Sequence, residues 1–277
     1  MILVTGANGQ LGNEFRRILG DQAQYVDVAE LDITNKEVVE TFFKGKSFSY
    51  IINCAAYTAV DKAEKDWQLA ELINITGPEN LAKTGIPLIH ISTDYVFDGK
   101  NYLPYTEEDK TCPNSVYGKT KLAGEQKVLE IASTALIFRT AWLYSKFGNN
   151  FVKTMRKLGK DRESLTVVFD QIGTPTYAKD LAQAIVDILP QVTAGTKEVY
   201  HYSNEGVCSW YDFAIAVMAM SDLDCYVLPI ESKDYPTAAA RPHYSVLNKT
   251  KIKKHFEIEI PHWADSLSDC IMELENE

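Results

Sequence analysis

Short apolar runs alternate with amphipathic stretches along the first half of this 277-residue chain. Residues 2–5, 50–54 and 88–92 have the length of buried strands, and a helical spacing of apolar residues follows each run. Strands that alternate with helices in this way form a parallel sheet whose two faces are both covered. The pattern therefore predicts a doubly wound α/β fold.

The same pattern predicts the individual elements. Strands are expected at residues 2–5, 25–28, 50–54, 88–92, 136–140, 198–202 and 223–229. Helices are expected at residues 11–19, 38–43, 63–75, 78–85, 117–131, 149–158, 180–189 and 210–220. The 63–75 helix would carry Leu69, Leu72 and Ile73 on its apolar face, and Pro78 would start a new helix. Residues 234–242 are expected to form a loop.

The rhythm of strands and helices changes after about Phe147. We therefore expect one domain over residues 1–147, to which parts of residues 164–203 return. Residues 148–277 would form mainly a smaller lobe, which binds the substrate. This lobe would be interleaved with the first domain rather than strung after it.

Charge and composition narrow the class of protein. The formal net charge is −10, which argues against a broad surface for nucleic acid or an anionic membrane. The chain begins with strand-like residues rather than a signal sequence, and no apolar run approaches the ~20 residues of a membrane span. The five cysteines form no CxxC pair and have no zinc-like spacing to histidine. We therefore expect a cytoplasmic protein that binds neither nucleic acid, membrane nor zinc.

Three glycines follow the first predicted strand and open the first predicted helix. Gly6, Gly9 and Gly12 have the spacing GxxGxxG. Glycines at this place let the backbone turn tightly and approach a pyrophosphate, which the helix N-terminus also favours. The loop therefore predicts a Rossmann-type domain that binds a dinucleotide.

The adenosine end of such a site would lie near two acidic residues. Asp27 ends the second strand, where an acid would bond the ribose, and Asp32 with Ile33 would border the adenine. An acid at this place favours NADH because it repels a 2′-phosphate. Two candidate acids at irregular spacing leave both NADH and NADPH open.

Tyr117 and Lys121 lie four residues apart in a predicted helix and therefore share one face. An ammonium beside the phenol and beside a bound nicotinamide ribose would lower a pKa that is ordinarily about 10. Thr93 follows the 88–92 strand, so its hydroxyl would emerge at the carboxyl edge of the sheet, where ligands bind. We expect Tyr117 to donate a proton, Lys121 to orient it and Thr93 to bond a substrate oxygen. With the glycine loop, these residues indicate a nicotinamide-dependent oxidoreductase.

These motifs together resemble the extended short-chain dehydrogenases/reductases, and in finer detail the dTDP-4-dehydrorhamnose reductase family. The resemblance covers nearly the whole chain and is most specific between residues 53 and 176. The matching segments are residues 9–12 (GQLG), 53–64 (NCAAYTAVDKAE), 92–99 (STDYVFDG), 116–125 (VYGKTKLAGE), 139–144 (RTAWLY) and 170–176 (DQIGTPT).

The resemblance implies the last step of dTDP-rhamnose biosynthesis, in which NADPH or NADH reduces dTDP-4-dehydro-β-L-rhamnose to dTDP-L-rhamnose. Tyr117 would protonate the C4 oxygen, Thr93 would polarise the C4 carbonyl, and Lys121 would also hold the nicotinamide ribose. Asp94 and Trp142 would face the sugar nucleotide. The resemblance also implies that the cofactor contacts Gln10, Leu11, Ala55, Ala56 and Thr58.

Three polar residues are candidates for holding the nucleotide diphosphate, namely Asn149, Asn150 and Arg241. The guanidinium of Arg241 suits a phosphate because its donors form a planar fork. Arg241 also lies in the predicted 234–242 loop, where a solvated arginine is equally expected.

Some members of the family form a magnesium-dependent dimer through glutamates. Glu14 matches one of those positions, but Lys179 stands where a second would align. Because a cation does not suit a magnesium site, no metal is expected, and a homodimer stays open. Glu14 is expected to be an exposed acid of the first helix, favoured there by the macrodipole.

Two other functions stay open. The first is a sugar-nucleotide epimerase or 4,6-dehydratase, although dehydratases place Asp-Glu where this chain has Asp94 and Tyr95. The second is a non-catalytic, cofactor-binding subunit like the regulatory subunit of methionine adenosyltransferase. Retention of Thr93, Tyr117 and Lys121 favours a catalytic protein over this second class.

Overall fold

A computed structural model of the chain describes residues 1–276. The strands are β1 (Ile2–Thr5), β2 (Ala23–Val26), β3 (Tyr50–Asn53), β4 (Leu88–Thr93), β5 (Ala135–Thr140), β6 (Leu143–Tyr144), β7 (Ser164–Val168), β8 (Ile172–Gly173), β9 (Thr176–Tyr177), β10 (Lys197–His201), β11 (Cys208–Ser209) and β12 (Tyr226–Ile230). The α-helices are α1 (Gln10–Leu19), α2 (Lys36–Phe43), α3 (Val60–Ala63), α4 (Trp67–Glu71), α5 (Gly77–Ala82), α6 (Val116–Ile131), α7 (Phe151–Asp161), α8 (Ala178–Ile188), α9 (Trp210–Met220), α10 (Thr250–Phe256) and α11 (Trp263–Glu275). Short 3₁₀ turns cover Gly20–Gln22, Asp94–Val96, Leu189–Gln191 and Ser232–Asp234.

Six parallel strands form the central sheet in the order β2-β1-β3-β4-β5-β10. Successive residues of a strand face opposite sides. Leu3 therefore packs with residues of α2, α5 and α6, whereas Val4 packs with residues of α1, α8 and α10. Helices on both faces confirm the predicted doubly wound α/β fold. Because the strand order reverses between β1 and β3, the carboxyl ends of these strands flank a crevice.

A second hydrophobic core lies in the smaller lobe. Its central residues Val152, Phe213 and Leu267 are fully buried and come from α7, α9 and α11. Between segments of this lobe, α8 returns to pack on α1, and β10 pairs with β5 at the edge of the central sheet. The domain boundaries stay a prediction, which the two separate cores support.

Residues 63–75 do not form one continuous helix, so that prediction is wrong. α3 and α4 are separate, and a π-helical turn over Leu72–Thr76 leads directly into α5. Pro78 has no backbone N–H with which to donate an α-helical hydrogen bond. The π turn before it tolerates the missing hydrogen bond, so the backbone stays helical into α5. Leu69 and Leu72 are exposed rather than buried.

The sequence pattern does not predict β7, α10 or α11. β7 is short, and its exposed residues Ser164 and Thr166 alternate with buried ones. In residues 1–276, no helix has both the length and the apolar character needed to cross a membrane. The five cysteines are all free thiols.

Candidate active site

The glycine loop joins the end of β1 to the N-terminus of α1. Gly6 has a φ of +63°, and a Cβ at this residue would lie 2.6 Å from the backbone nitrogen of Ala55 after β3. A Cβ on Gly12 would lie 2.5 Å from the carbonyl oxygen of Gly6. Both positions therefore require glycine, and the free N–H groups of α1 face the crevice between β1 and β3. This backbone cradle fits the pyrophosphate of a dinucleotide.

The crevice holds two adjoining cavities of about 510 and 400 Å³, which share Gly6, Gly9, Cys54 and Ala56. Of the predicted residues, the larger cavity is lined by Gly6, Gly9, Gln10, Leu11, Gly12, Ala56, Thr58, Thr93, Asp94, Tyr117, Lys121, Trp142 and Asn149. The smaller is lined by Gly6, Gly9, Asp27, Asp32, Ile33, Ala55 and Ala56. Their volumes and continuity fit an adenosine at one end and a nicotinamide beside a substrate at the other.

Hydrogen bonds fix both acids of the smaller cavity. The Asp27 carboxylate accepts from the backbone N–H of Asn8, in the glycine loop, at 2.9 Å. Asp32 accepts from both the backbone and the hydroxyl of Thr34, at 2.9 and 2.6 Å. The backbone carbonyl of Ile33 is held by the amide of Asn80 at 3.0 Å. The adenosine end is therefore preorganised, and its acids leave the choice between NADH and NADPH open.

Tyr117 and Lys121 lie on α6, whose first turn is fixed by a cap. The hydroxyl of Ser115 accepts a hydrogen bond from the backbone N–H of Gly118 at 3.1 Å. A Cβ on Gly118 would lie 2.2 Å from the carbonyl oxygen of Tyr95, so glycine allows α6 to pack directly on the turn after β4. Thr93 ends β4 directly before that turn, and this packing brings Thr93, Tyr117 and Lys121 to the same cavity.

Burial governs the titration of both residues. The pKa of Tyr117 is raised to about 12 because the phenol is desolvated, and the nearby Asp94 carboxylate adds to this effect. A hydrogen bond with Thr93 partly offsets the rise in the pKa of Tyr117. Desolvation lowers the pKa of Lys121 to about 8. In this structure the ammonium of Lys121 donates to the carbonyl of Ile91 at 2.6 Å, and the lowering of the Tyr117 pKa beside a bound cofactor stays a prediction.

Asp94 is a buried carboxyl beside this pair. One of its oxygens accepts a hydrogen bond from the hydroxyl of Thr93 at 3.0 Å. Burial raises the pKa of Asp94 to about 6, and hydrogen bonds with Ser245 and Thr93 limit the rise. Near neutral pH, the site therefore holds a protonated phenol next to a carboxyl that gains its proton in mildly acidic solution.

Trp142 follows β5 in a strained conformation. Its φ is +50°, a region that bulky residues seldom adopt. The indole stacks on Trp210 of α9 at a centroid distance of 3.6 Å. A Cβ on Gly173 would lie 2.7 Å from the indole, so glycine makes room on its other side. Strain at a cavity wall is common at functional sites, and it supports a binding role for Trp142.

The three diphosphate candidates differ in their surroundings. Asn149 lines the larger cavity. Asn150 caps α7, and its amide donates to Gln10 at 3.0 Å, which joins the smaller lobe to the cofactor loop. Arg241 lines neither cavity, because its guanidinium pairs with Asp61 of α3. Arg241 therefore stays a prediction, and it lies beside Tyr95, which lines the larger cavity.

Glu14 is fully buried, so the prediction of an exposed acid is wrong. It lies on α1 at the junction with the smaller lobe, where it accepts hydrogen bonds from Ser145 at 2.6 Å and Arg17 at 3.0 Å. Burial raises the pKa of its carboxyl, which Ser145 and Arg17 partly oppose. Lys179 pairs with Glu273 at 2.8 Å, and Arg17 also binds Glu273. Within residues 1–276, no cluster of three or more His, Cys, Asp or Glu could hold a metal ion.

The structure adds site residues that sequence reasoning missed. Tyr95 packs edge-on against Tyr117 at 5.4 Å, and Thr140 and Gly148 line the larger cavity. Thr140 ends β5 beside Thr93 at the end of β4. Its position at the carboxyl edge of the sheet could therefore have predicted it as a site residue. No sequence signal marks Tyr95, because its contact depends on how α6 packs.

The fold and the site define the class of this protein. A glycine loop after β1 and a Thr, Tyr and Lys at one cavity are the arrangement of the extended short-chain dehydrogenases/reductases. A structure of UDP-glucose 4-epimerase from Thermus thermophilus in complex with NAD has a TM-score of 0.84 at 18% identity, which shows the shared fold alone.

The chain belongs to the family described as RmlD substrate binding domain, whose model matches residues 1–276. A dTDP-4-dehydrorhamnose reductase from Aggregatibacter actinomycetemcomitans is 41% identical over an alignment of 285 positions, which covers 97% of each chain. The crystal structure of a dTDP-4-dehydrorhamnose reductase ortholog from Clostridium acetobutylicum is 44% identical, with a TM-score of 0.95 and 99% coverage of both chains. A dTDP-4-dehydrorhamnose reductase from Bacillus anthracis, solved in complex with NADP, is 40% identical, with a TM-score of 0.94 and 98% coverage of both.

Proposed function

We propose that this protein reduces the C4 keto group of dTDP-4-dehydro-β-L-rhamnose with NADPH or NADH. The product is dTDP-L-rhamnose, and the reaction is the last step of dTDP-rhamnose biosynthesis. One observation carries the proposal. Thr93, Tyr117 and Lys121 meet at the cavity that the glycine loop also lines, in a chain 41% identical to a reductase of that name.

A bound nicotinamide cofactor supplies the hydride for C4. The backbone N–H groups of α1 hold its pyrophosphate, and Lys121 bonds its ribose. Asp27 lies at the adenosine end, and Ala55, Ala56 and Thr58 line the path between the two ends. The structure of the Bacillus anthracis reductase with NADP supports NADPH as one of the cofactors.

Tyr117 supplies the proton that the C4 oxygen needs as hydride arrives. With a pKa of about 12, its phenol is protonated at neutral pH, which is the form that a proton donor requires. Thr93 bonds the same oxygen and orients the carbonyl. When the proton leaves Tyr117, the Lys121 ammonium stabilises the phenolate that forms. Trp142 and Asp94 contact the sugar.

The two alternative functions have less support. A dehydratase needs an acid and a base after the strand-end threonine, and Tyr95 at the second position is a half-buried phenol whose pKa desolvation raises further. A purely cofactor-binding subunit would not need Thr93, Tyr117 and Lys121 at one cavity. Simple reduction uses all of these groups.

The experiment that tests the function is NADPH oxidation followed at 340 nm with enzymatically prepared dTDP-4-keto-L-rhamnose. A parallel assay with NADH ranks the two cofactors. Rapid oxidation with formation of dTDP-L-rhamnose is the expected result. Cofactor binding without oxidation would contradict the proposal and favour another keto-sugar nucleotide as the substrate.

We also infer a cytoplasmic location and a homodimer. Five free thiols suit a reducing compartment. Trp67, Leu69 and Leu72 are between 41% and 47% exposed on one helical segment, and such a patch supports association of two copies. Light scattering after gel filtration tests the dimer, and a monomer mass at micromolar concentration would contradict it.

A further inference from the structure

Glu125 lies behind the active site on the same face of α6 as two proposed catalytic residues. Tyr117, Lys121 and Glu125 are spaced four residues apart, so they stack along one side of the helix. Lys121 and Glu125 are 2% and 1% exposed, and a buried carboxylate requires partners. Glu125 does not line either cavity, so it does not touch a bound ligand.

The partners of Glu125 come from two strands of the central sheet. Arg139 of β5 donates from Nη2 at 2.7 Å and from Nε at 3.0 and 3.2 Å, which forms a forked, buried ion pair. The hydroxyl of Ser92 on β4 donates to the same carboxylate. One side chain therefore joins α6 to both strands.

These two strands carry other residues of the proposed site. Ser92 pairs with Arg139 in the sheet, and the next pair is Thr93 with Thr140. Trp142 follows two residues after Thr140. The carboxylate of Glu125 thus binds β4 and β5 one residue before their ends. These ends present Thr93 and Thr140, and Trp142 follows Thr140.

Glu125 also supplies the main opposite charge near Lys121. The titratable groups that face Lys121 are Tyr117 and Glu125 on α6, Cys54 after β3 and His90 on β4. Burial raises the pKa of Cys54 and of Tyr117 and lowers that of His90, so these three groups are neutral near pH 8. Desolvation lowers the pKa of Lys121 to about 8, and Glu125 is the largest influence that opposes this.

We propose that Glu125 is a positioning residue that keeps Lys121 charged beside the cofactor ribose and holds the ends of β4 and β5 against α6. The inference rests on the proposed function for the role of Lys121. It assigns to Glu125 an effect on ligand binding that a purely structural ion pair would not have.

The test measures NADPH affinity against pH for the wild type, Glu125→Gln and Glu125→Asp, by fluorescence of the bound cofactor. In the wild type, affinity should fall as the pH rises through about 8, because Lys121 loses its proton. Glu125→Gln keeps the shape but removes the charge, and should move this fall to lower pH by about one unit or more. Glu125→Asp keeps the charge and should stay close to the wild-type profile. A merely structural role predicts that the fall in affinity stays at the wild-type pH in every variant that folds.

Loss of one partner of a buried ion pair can prevent folding. The double variant Glu125→Leu/Arg139→Met therefore replaces both charges with apolar side chains, which proteins often tolerate. The double variant should fold, and its NADPH affinity should fall at the same lowered pH as that of Glu125→Gln. A folded double variant with the wild-type profile would overturn the inference, as would a wild type whose NADPH affinity does not change near pH 8.

The same samples separate this inference from the proposed function. If the wild type binds NADPH but does not turn over dTDP-4-keto-L-rhamnose, the proposed reaction fails. The pH profiles of binding still decide the role of Glu125, because they need no turnover. If turnover occurs but the wild type and the Glu125 variants have the same pH profile of NADPH affinity, the proposed reaction is supported and the proposed role of Glu125 is ruled out.

Discussion

At the scale of single residues, burial decides the chemistry of the site. The phenol of Tyr117 and the ammonium of Lys121 are four residues apart, a spacing that the sequence shows directly. Their pKa values depend instead on desolvation and on neighbours from other elements, such as Asp94. The spacing of Tyr117 and Lys121 could therefore be predicted from the sequence, whereas the desolvation of each group could not, because it depends on packing.

Tyr117→Phe removes the proposed proton donor and leaves the ring in place. We expect kcat to fall about 100-fold or more, with little change in NADPH affinity. Steady-state kinetics and cofactor titration measure the two effects. Tyr102→Phe, at a side chain that is 85% exposed, is the matched control and should behave as the wild type. A near-normal kcat in Tyr117→Phe would rule out Tyr117 as the donor.

Asp94→Asn tests the cost of a buried carboxylate. The folded-state pKa of Asp94 is about 6, above an unfolded value of about 3.9, so the folded protein binds the extra proton between these pH values. Wild-type stability should therefore fall as the pH rises through this window and stay lower above it. Relative to the wild type, Asp94→Asn should gain about 2 to 3 kcal/mol between pH 4 and pH 8. Urea unfolding at both pH values measures the gain, and an equal stability difference at both would disprove the buried charge.

At the scale of elements, local signals explain which predictions succeeded. The helix predicted at residues 210–220 has these bounds in the structure, because Ser209 and Asp212 form a capping box at its start. The single helix predicted before Pro78 is wrong because the π turn over Leu72–Thr76 has no sequence signature of its own. Exposed apolar residues such as Leu69 also have the spacing that is expected of a buried helix face. Caps and strands were therefore predictable, and irregular helix junctions were not.

Gly12→Ala tests the close approach of α1 to the glycine loop. The added methyl group would lie 2.5 Å from the Gly6 carbonyl oxygen and 2.6 Å from the Ala7 Cα, so backbone must move. We expect a loss of about 1 to 3 kcal/mol in the free energy of unfolding, together with weaker NADPH binding. Gly9→Ala is a control for stability, because its methyl group would lie 3.3 Å from the same oxygen. Equal unfolding midpoints for both variants would contradict this account.

At the scale of the whole molecule, the two cores share elements that alternate along the chain. α8 and β10 belong to the face and edge of the central sheet, although segments of the smaller lobe precede and follow them. Glu14 of α1 and Ser145 after β6 are buried together at the junction. The alternation of strands and helices predicted the sheet, but strand order and the burial of Glu14 depend on contacts between distant parts of the chain.

This interleaving predicts a single cooperative unfolding transition for the two lobes. Of the four tryptophans, Trp142, Trp210 and Trp263 pack at the core of the smaller lobe, so fluorescence reports mainly on this core, and far-UV circular dichroism reports on all helices and strands. Their urea unfolding curves should coincide, because neither core is complete without the other lobe's connections. Two separate transitions would show that the lobes unfold independently.

The return of β10 to the edge of the central sheet also limits how this protein can be recombined. A chimera that exchanged everything after residue 147 would replace β10 and α8 along with the smaller lobe. It would therefore put foreign surfaces against β5 and α1, inside the domain that was meant to stay unchanged. Engineering a new sugar preference would instead require grafting separate segments, with residues 178–201 kept from the parent.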